Sequence, residues 1–225
     1  MEGPGVKPPD PFGGRKPTSH ERRAGLPWDA SYQDGPAPWD TGEPQPALVA
    51  LASSNGFVGP VLDVGCGTGE NALYVASLGI VVVGVDVAET ALEMARTKAA
   101  ARGIEAEFIV ADALHLEVLG RKFATVLDCG LFHSLDGDER SRYVGSLAAA
   151  TDRDGTLHVL CFSDKGPDPG PHPVREEELV EAFRFHDEWE VATVHPVQME
   201  WNVPGQGPHR GRQASGAWLA TIKRT

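Results

Sequence analysis

Apolar and polar positions fall into a strand–helix rhythm that begins near residue 46 and continues to the C-terminus. Residues 46–52 read as a helix, and 61–64 form a short apolar run closed by glycines, the pattern of a buried strand. Across 70–78, Leu73, Ala76 and Ser77 recur at helical spacing, and Gly79 supplies the stop. Residues 80–85 are uninterruptedly apolar, as expected of a central parallel strand covered on both faces. Residues 90–102 predict a helix with Ala91, Leu92, Ala95 and Ala99 on one side, ended by Gly103. Third and fourth strands follow at 108–110 and 123–127. Asp136 and Glu139 make a capping box for a helix carrying Tyr143, Val144, Leu147 and Ala148. A fifth strand is expected at 157–162 and a further helix at 174–183. Strands at 189–197 and 217–223 have no long helix between them, so they should pair antiparallel. The pattern specifies a doubly wound α/β fold with a seven-stranded sheet, mostly parallel, with one antiparallel strand near the C-terminus. Ligands in such sheets bind beyond the carboxyl ends of the strands.

The first 45 residues lack this rhythm. Ten of the 18 prolines lie within residues 1–46, and residues 1–26 mix Pro, Gly and charge, so a disordered tail is expected there. Residues 27–45 differ in kind, because Trp28, Tyr32 and Trp39 fall within twelve residues of one another. Exposed aromatics are costly, so this segment should fold back over the chain. It can serve as a flap packed on the core or as a lid closing over a ligand. The globular domain is then 46–225.

Composition narrows the partners. At 225 residues, 41% hydrophobic and 23% charged, the chain is an ordinary soluble domain with an appendage. Such a domain buries roughly 70% of its unfolded surface without needing a disulfide or metal staple. Acidic residues number 32 against 20 basic ones, a formal charge of −12. Phosphate backbones and anionic lipids are bound through Lys and Arg, so no nucleic-acid or membrane partner is expected. Three cysteines (Cys66, Cys129 and Cys161) cannot all pair internally and form no C-x-x-C, which suits a reducing cytoplasm. No two histidines stand four apart, so no metal site is expected. With neither a signal peptide nor a long apolar span in view, a cytoplasmic protein is the expectation.

The strand ends carry the chemistry. After the first strand comes Asp63-Val64-Gly65-Cys66-Gly67-Thr68-Gly69-Glu70, opening directly into a helix. Alternate glycines let the backbone turn tightly and approach a ligand. Asp86 ends the second strand, 21 residues beyond Gly65, where a carboxylate can accept hydrogen bonds from ribose hydroxyls. Strand, turn, helix, strand and Asp in that order announce a nucleoside cofactor. A dinucleotide fingerprint would need a third glycine at position 70, where this chain has Glu70, and a carboxylate at a helix N-terminus repels a pyrophosphate. A nicotinamide-dependent oxidoreductase is therefore the second choice. S-adenosylmethionine, which carries an ammonium and a sulfonium but no phosphate, suits the acidic site better.

Asp63-x-Gly65-x-Gly67-x-Gly69 with Val83-Gly84-Val85-Asp86 resembles motifs I and II of class I S-adenosylmethionine-dependent methyltransferases, and Val110-Ala111-Asp112-Ala113 is similar to that family's adenine-flanking segment. The resemblance covers 46–225 and implies a Rossmann-like fold. It implies that Asp63, Gly65, Cys66, Gly67 and Gly69 hold the methionine end of the cofactor. Asp86 and Val87 would hold the ribose, Asp112 and Ala113 the adenine, with Cys129 also against the cofactor. Ala88 departs from the family, in which a Ser or Thr commonly follows the Asp. A narrower resemblance, to the thiopurine and thiol/halide methyltransferase branch, rests on residues 28–42, 128–132 and 169–174. It implies that Trp28 and Trp39 form a lid over the cofactor. Thiopurine enzymes carry Arg at the position of Cys129, so their substrate contact does not carry over. Some actinobacterial relatives of this type act on heterocyclic toxins and quinolones.

Asp128 and His133 follow the fourth strand, where the methyl group is expected, and are candidate catalytic residues. His133 has a reference pKa suited to accepting a proton, and it can equally be a structural loop histidine. Phe132, Met199 and Trp201 are candidates for an apolar substrate pocket, or for plain core. Cys129 and Cys161 read as small buried hydrophobes. Asp128-Cys129-Gly130-Leu131 lacks the Asn/Asp-Pro-Pro-Tyr of enzymes that methylate exocyclic amines in DNA. The expected function is methyl transfer from S-adenosylmethionine, leaving S-adenosylhomocysteine. The acceptor should be a small molecule with an aromatic or heterocyclic hydroxyl, a ring nitrogen or a thiol, without a metal, in a monomer or homodimer. A non-catalytic S-adenosylmethionine-binding protein is the remaining alternative.

Overall fold

The computed structural model describes residues 10–12, 14–33, 35, 37–167, 170–203 and 211–225. Residues 1–9 and Gly13 of the expected tail, and Asp34, Pro36 and Pro169 of the narrower resemblance, lie outside the described residues. In chain order the elements are α1 (Ser19–Ala24), α2 (Ala30–Gln33), α3 (Pro46–Ser53), β1 (Val61–Val64), α4 (Glu70–Ser77), β2 (Val82–Asp86), α5 (Glu89–Arg102), β3 (Glu107–Val110), β4 (Phe123–Cys129), α6 (Gly137–Ala150), β5 (Thr151–Phe162), α7 (Glu176–Arg184), β6 (Trp189–Asn202) and β7 (Arg212–Arg224). The seven strands form one sheet in the order β3-β2-β1-β4-β5-β7-β6. β1 to β5 pair in parallel, whereas β7 runs antiparallel to both β5 and β6, so it is the reversed strand that the sequence led us to expect. The strand order reverses at β1 and β4, and the crevice there opens at their carboxyl ends.

Side-chain alternation along the strands splits the interior into two layers. Leu62, Val64, Val83, Val85 and Val126 face one way, against Tyr143, Val144, Leu147, Leu179 and Phe183 of α6 and α7. Val61, Val82 and Leu127 face the other, against Leu48, Leu73, Val75, Leu92 and Ala95 of α3, α4 and α5. Asp128 therefore shares the α6 side with Val126. Its Oδ2 accepts the Tyr143 hydroxyl at 2.8 Å, and its Oδ1 accepts the amides of Leu131 and Phe132 at 3.0 and 3.3 Å.

The expectation of a disordered tail fails for its described part. Thr18 and Glu21 form a capping box, and α1 ends at Gly25 in the left-handed region. The Glu21 carboxylate is wholly buried and gathers the segment around itself. It accepts from Arg15, from the Thr18 amide (2.8 Å) and from the Trp28 amide (2.9 Å). The helix docks on the start of α6, where Glu139 accepts from the Ser19 amide at 2.8 Å and from Arg22 at 3.0 Å. Six residues would not hold a helix in water, and these tertiary bonds hold it here. No described helix is long and apolar enough to cross a membrane.

Removing the Tyr143 hydroxyl leaves a buried carboxylate short of a donor. Tyr143→Phe is expected to cost about 1–3 kcal/mol of stability in urea unfolding. Burial holds the Asp128 pKa up at about 6 and loss of the donor raises it further, so the penalty should shrink as the pH falls towards 6 and be least below it.

Candidate active site

The carboxyl ends of the strands and the N-terminal segment enclose one cavity of about 380 Å³, within the size range of small-molecule sites. Its floor is built from the turns that follow the strands. Gly65, Cys66 and Gly67 come from the β1 turn, Asp86 and Val87 from β2, Asp112 and Ala113 from the β3 end, and Cys129, Gly130 and His133 from β4. Gly67 has φ +52°, and a Cβ there would lie 3.0 Å from the Tyr32 hydroxyl oxygen. Gly69, at φ +82°, lies behind this wall, where a Cβ would meet Ala95 at 2.9 Å. That glycine lets α4 start close against α5.

Asp86 ties two of these turns together. Its Oδ2 accepts the Gly67 amide and its Oδ1 the Ala88 amide, both at 2.9 Å. Burial raises its pKa, with the amides of Ala88, Gly67 and Val87 opposing. Asp63 stands behind the glycine turn, not on the cavity wall, and its Oδ2 is buried with no hydrogen-bond partner. Burial, then the nearby charges of Asp128 and Asp86, raise its pKa to about 7. Asp112 points into its own turn, where Oδ1 accepts the Leu114 amide at 2.9 Å.

The roof comes from residues 15–45. Trp28 stacks on His20 with ring centroids 4.1 Å apart, and Trp39 meets Trp28 edge-on at 5.6 Å. The Trp39 indole N–H donates to Tyr32 at 2.8 Å. The roof is pinned at both ends. Asp29 accepts the amide and the hydroxyl of Thr90, while Gln45 exchanges hydrogen bonds with the Glu200 backbone and donates its own amide to Asn71. This segment covers the cavity and also packs on the body of the protein, with Trp28, Tyr32 and Ala37 clustered on Ala88 and Ala91.

Of the candidate site residues, Trp28, Trp39, Gly65, Cys66, Gly67, Asp86, Val87, Asp112, Ala113, Cys129, His133, Met199 and Trp201 share this wall. Asp63, Gly69, Asp128 and Phe132 do not. Strand alternation turns Asp128 toward Tyr143, so its carboxylate caps the next turn and has no path to an acceptor. Phe132 is fully buried, stacked on Phe183 at 6.2 Å with the Arg140 guanidinium over its ring, so it is core. His133 is on the wall, but its Nδ1 accepts the Phe162 amide at 3.3 Å. Burial, with His172 and Arg140 nearby, drives its pKa down to about 3. It is a neutral imidazole whose proton sits on Nε2, a donor and not a base. The wall also holds residues that the pattern reading missed, among them Arg15, Thr18, His20, Tyr32, Asn71, Phe162 and His172. Thr18-Ser19-His20-Glu21 was a legible signal, since it is a capping box. Glu70, for its part, is paired with Lys98 and Arg102 at 2.8 Å each, so its charge is answered within the protein and repels a pyrophosphate less than expected.

The Methyltransferase domain family matches residues 61–155. A 2-heptyl-1-hydroxyquinolin-4(1H)-one methyltransferase of Mycobacteroides abscessus is 36% identical over 194 residues, covering 81% of this chain and 84% of that protein. The chain belongs to the S-adenosylmethionine-dependent small-molecule methyltransferases. Thiocyanate methyltransferase 1 of Brassica oleracea is 26% identical over 85% of this chain and 83% of its own length. A structure solved in work on the conversion of a disulfide bond into a thioacetal group during echinomycin biosynthesis superposes with a TM-score of 0.79. It is 36% identical and the match covers 87% of this chain and 91% of that one.

The residues present fit this methyltransferase's cofactor. The unpartnered Asp63 Oδ2 behind the glycine turn offers negative potential, and Asp86 has lone pairs left after its two amides. Were the cofactor's cationic amino group to lie near Asp63, it would favour the ionised carboxylate, and binding below pH 7 would release a proton. S-adenosylmethionine affinity is therefore expected to rise as the pH is raised from 5.5 to about 7 in calorimetric titration. In Asp63→Asn the same series should be flat.

Proposed function

We propose that this methyltransferase acts on a small aromatic or heterocyclic molecule through a hydroxyl or thiol acidic enough to react as its anion. The observation behind this is the make-up of the acceptor end of the cavity. It is lined by His133, Phe162, Met199, Trp201, Trp39 and His172, mostly aromatic, with Phe162 and Met199 largely buried in the core behind it. His133, His20 and His172 all have lowered pKa values, burial being the main cause, so these three imidazoles are uncharged near neutrality. Phe162 meets His133 at 4.9 Å and Trp201 edge-on at 6.4 Å, a set of aromatic contacts suited to a flat ring. A small inorganic anion would find little there to bind it.

S-adenosylmethionine, when bound, supplies a methyl group already activated by its sulfonium. The protein's task is alignment, exclusion of water and stabilisation of the nucleophile. Trp28 and Trp39 close the roof and keep water out. His133 has no free ring nitrogen with which to take a proton, and its Nε2–H can donate to an anionic oxygen or sulfur. An acceptor that ionises readily in water needs no more than that. The M. abscessus relative, named for a 1-hydroxyquinolone, is consistent with such an acceptor. The formal charge of −12 argues against nucleic acid as substrate.

Methyl transfer should be assayed with hydroxyquinolones, phenols, aromatic thiols and thiocyanate. Turnover on the ring hydroxyls or thiols is expected, and turnover confined to thiocyanate would contradict the aromatic acceptor. His133→Phe should lower kcat about 10- to 100-fold through loss of the donor, with His133→Gln retaining most activity. The pH–rate profile should follow the ionisation of the acceptor. A near-neutral ionisation of the enzyme that disappears in His133→Gln would restore the general-base role.

A further inference from the structure

α5 begins three residues after Asp86, yet its own N-cap position is occupied by Ala88, which is extended, fully buried and offers no side-chain cap. The missing cap comes from the roof. Asp29 Oδ1 accepts the Thr90 amide at 2.8 Å and Oδ2 accepts the Thr90 hydroxyl at 2.9 Å, across 61 positions of sequence. Tyr32, one turn further along, packs on Ala88 and Ala91 in the same small cluster. The Ala88 amide in turn donates to Asp86, whose other oxygen holds the Gly67 amide. A continuous path of hydrogen bonds and backbone thus runs from the roof to the glycine turn.

We propose that Asp29 is a positioning residue for the cofactor: from the lid it supplies the N-cap that α5 lacks, and so fixes the turn of residues 86–90 that aims the Asp86 carboxylate. A cap supplied by the chain's own residue 88 would order that turn whether or not the lid is docked. A cap supplied by Asp29 orders it only when the lid is down, so closure of the roof and formation of the ribose site become one event. The inference rests on Asp86 holding the ribose.

S-adenosylhomocysteine binding to the full chain, followed by calorimetric titration, tests both. Asp29→Ala should weaken binding about tenfold, the size of a lost helix cap. Adding Ala88→Ser to that variant should recover most of the loss, because the serine caps α5 from its own position. Binding by Asp29→Ala within about twofold of the parent, or no recovery by Ala88→Ser, would overturn the proposal, the second outcome making Asp29 a tether for the lid and nothing more. If Asp29→Ala does not fold, Asp29→Asn decides: it keeps an oxygen to accept the Thr90 amide and should bind within about threefold of the parent, whereas a tenfold loss there would overturn the cap. Asp86→Ala in the same titration separates the two readings. Undiminished binding there refutes the ribose assignment, whereas weakened binding with Asp29→Ala unchanged refutes only the cap.

Discussion

Both oxygens of one half-buried carboxylate are bonded to backbone amides, and the site is built outward from that fact. Asp86 holds Gly67 from the β1 turn and Ala88 from its own, at 2.9 Å each. Two loops that the chain separates by nearly twenty residues are thereby set at a fixed distance. An amide-bonded carboxylate is rigid and partly relieved of its desolvation cost, yet it keeps lone pairs for a ligand. Glycines at positive φ make the arrangement possible, because an ordinary side chain at Gly67 would strain the turn and press on the Tyr32 hydroxyl.

Buried acids elsewhere divide the labour. Glu21 is satisfied by Arg15 and two amides, and it organises the roof. Asp128 is satisfied by Tyr143 and two amides, and it shapes the turn after β4. Asp63 alone among the three retains a buried oxygen without a partner. A buried polar atom left unpaired costs free energy, and such costs persist where a ligand relieves them. Of these three carboxylates, Asp63 is the one with acceptor capacity left over, beside the glycine turn. His133 follows the same logic in reverse. Its Nδ1 is committed to the backbone, which leaves Nε2–H as the one polar feature it can offer.

The sheet was legible in the sequence because buried strands announce themselves by composition and by the glycines and caps around them. The β1 turn, Asp86 and Asp112 were legible because strand ends are where an α/β sheet must bind its ligand. What escaped was orientation. Asp128 looked catalytic from its place in the chain, but alternation within β4, which extends to Cys129, turned it toward α6. Phe132 went the same way into the core. The roof helix escaped because five polar residues and one alanine carry no apolar period, although its capping box was in plain view. The link between Asp29 and Thr90 could not have been read at all, since nothing local in either segment refers to the other. Long-range polar pairs of this kind become visible only when the fold brings their elements together.

The most direct test of the account is a crystal structure of the full chain with S-adenosylhomocysteine. The ribose hydroxyls should lie on Asp86 and the adenine beside Asp112 and Ala113. The amino group should lie toward Asp63, with Trp28 and Trp39 closed above and His133 facing the vacant acceptor space. A ribose bound away from Asp86, or a cofactor seated outside the roof of Trp28 and Trp39, would contradict it.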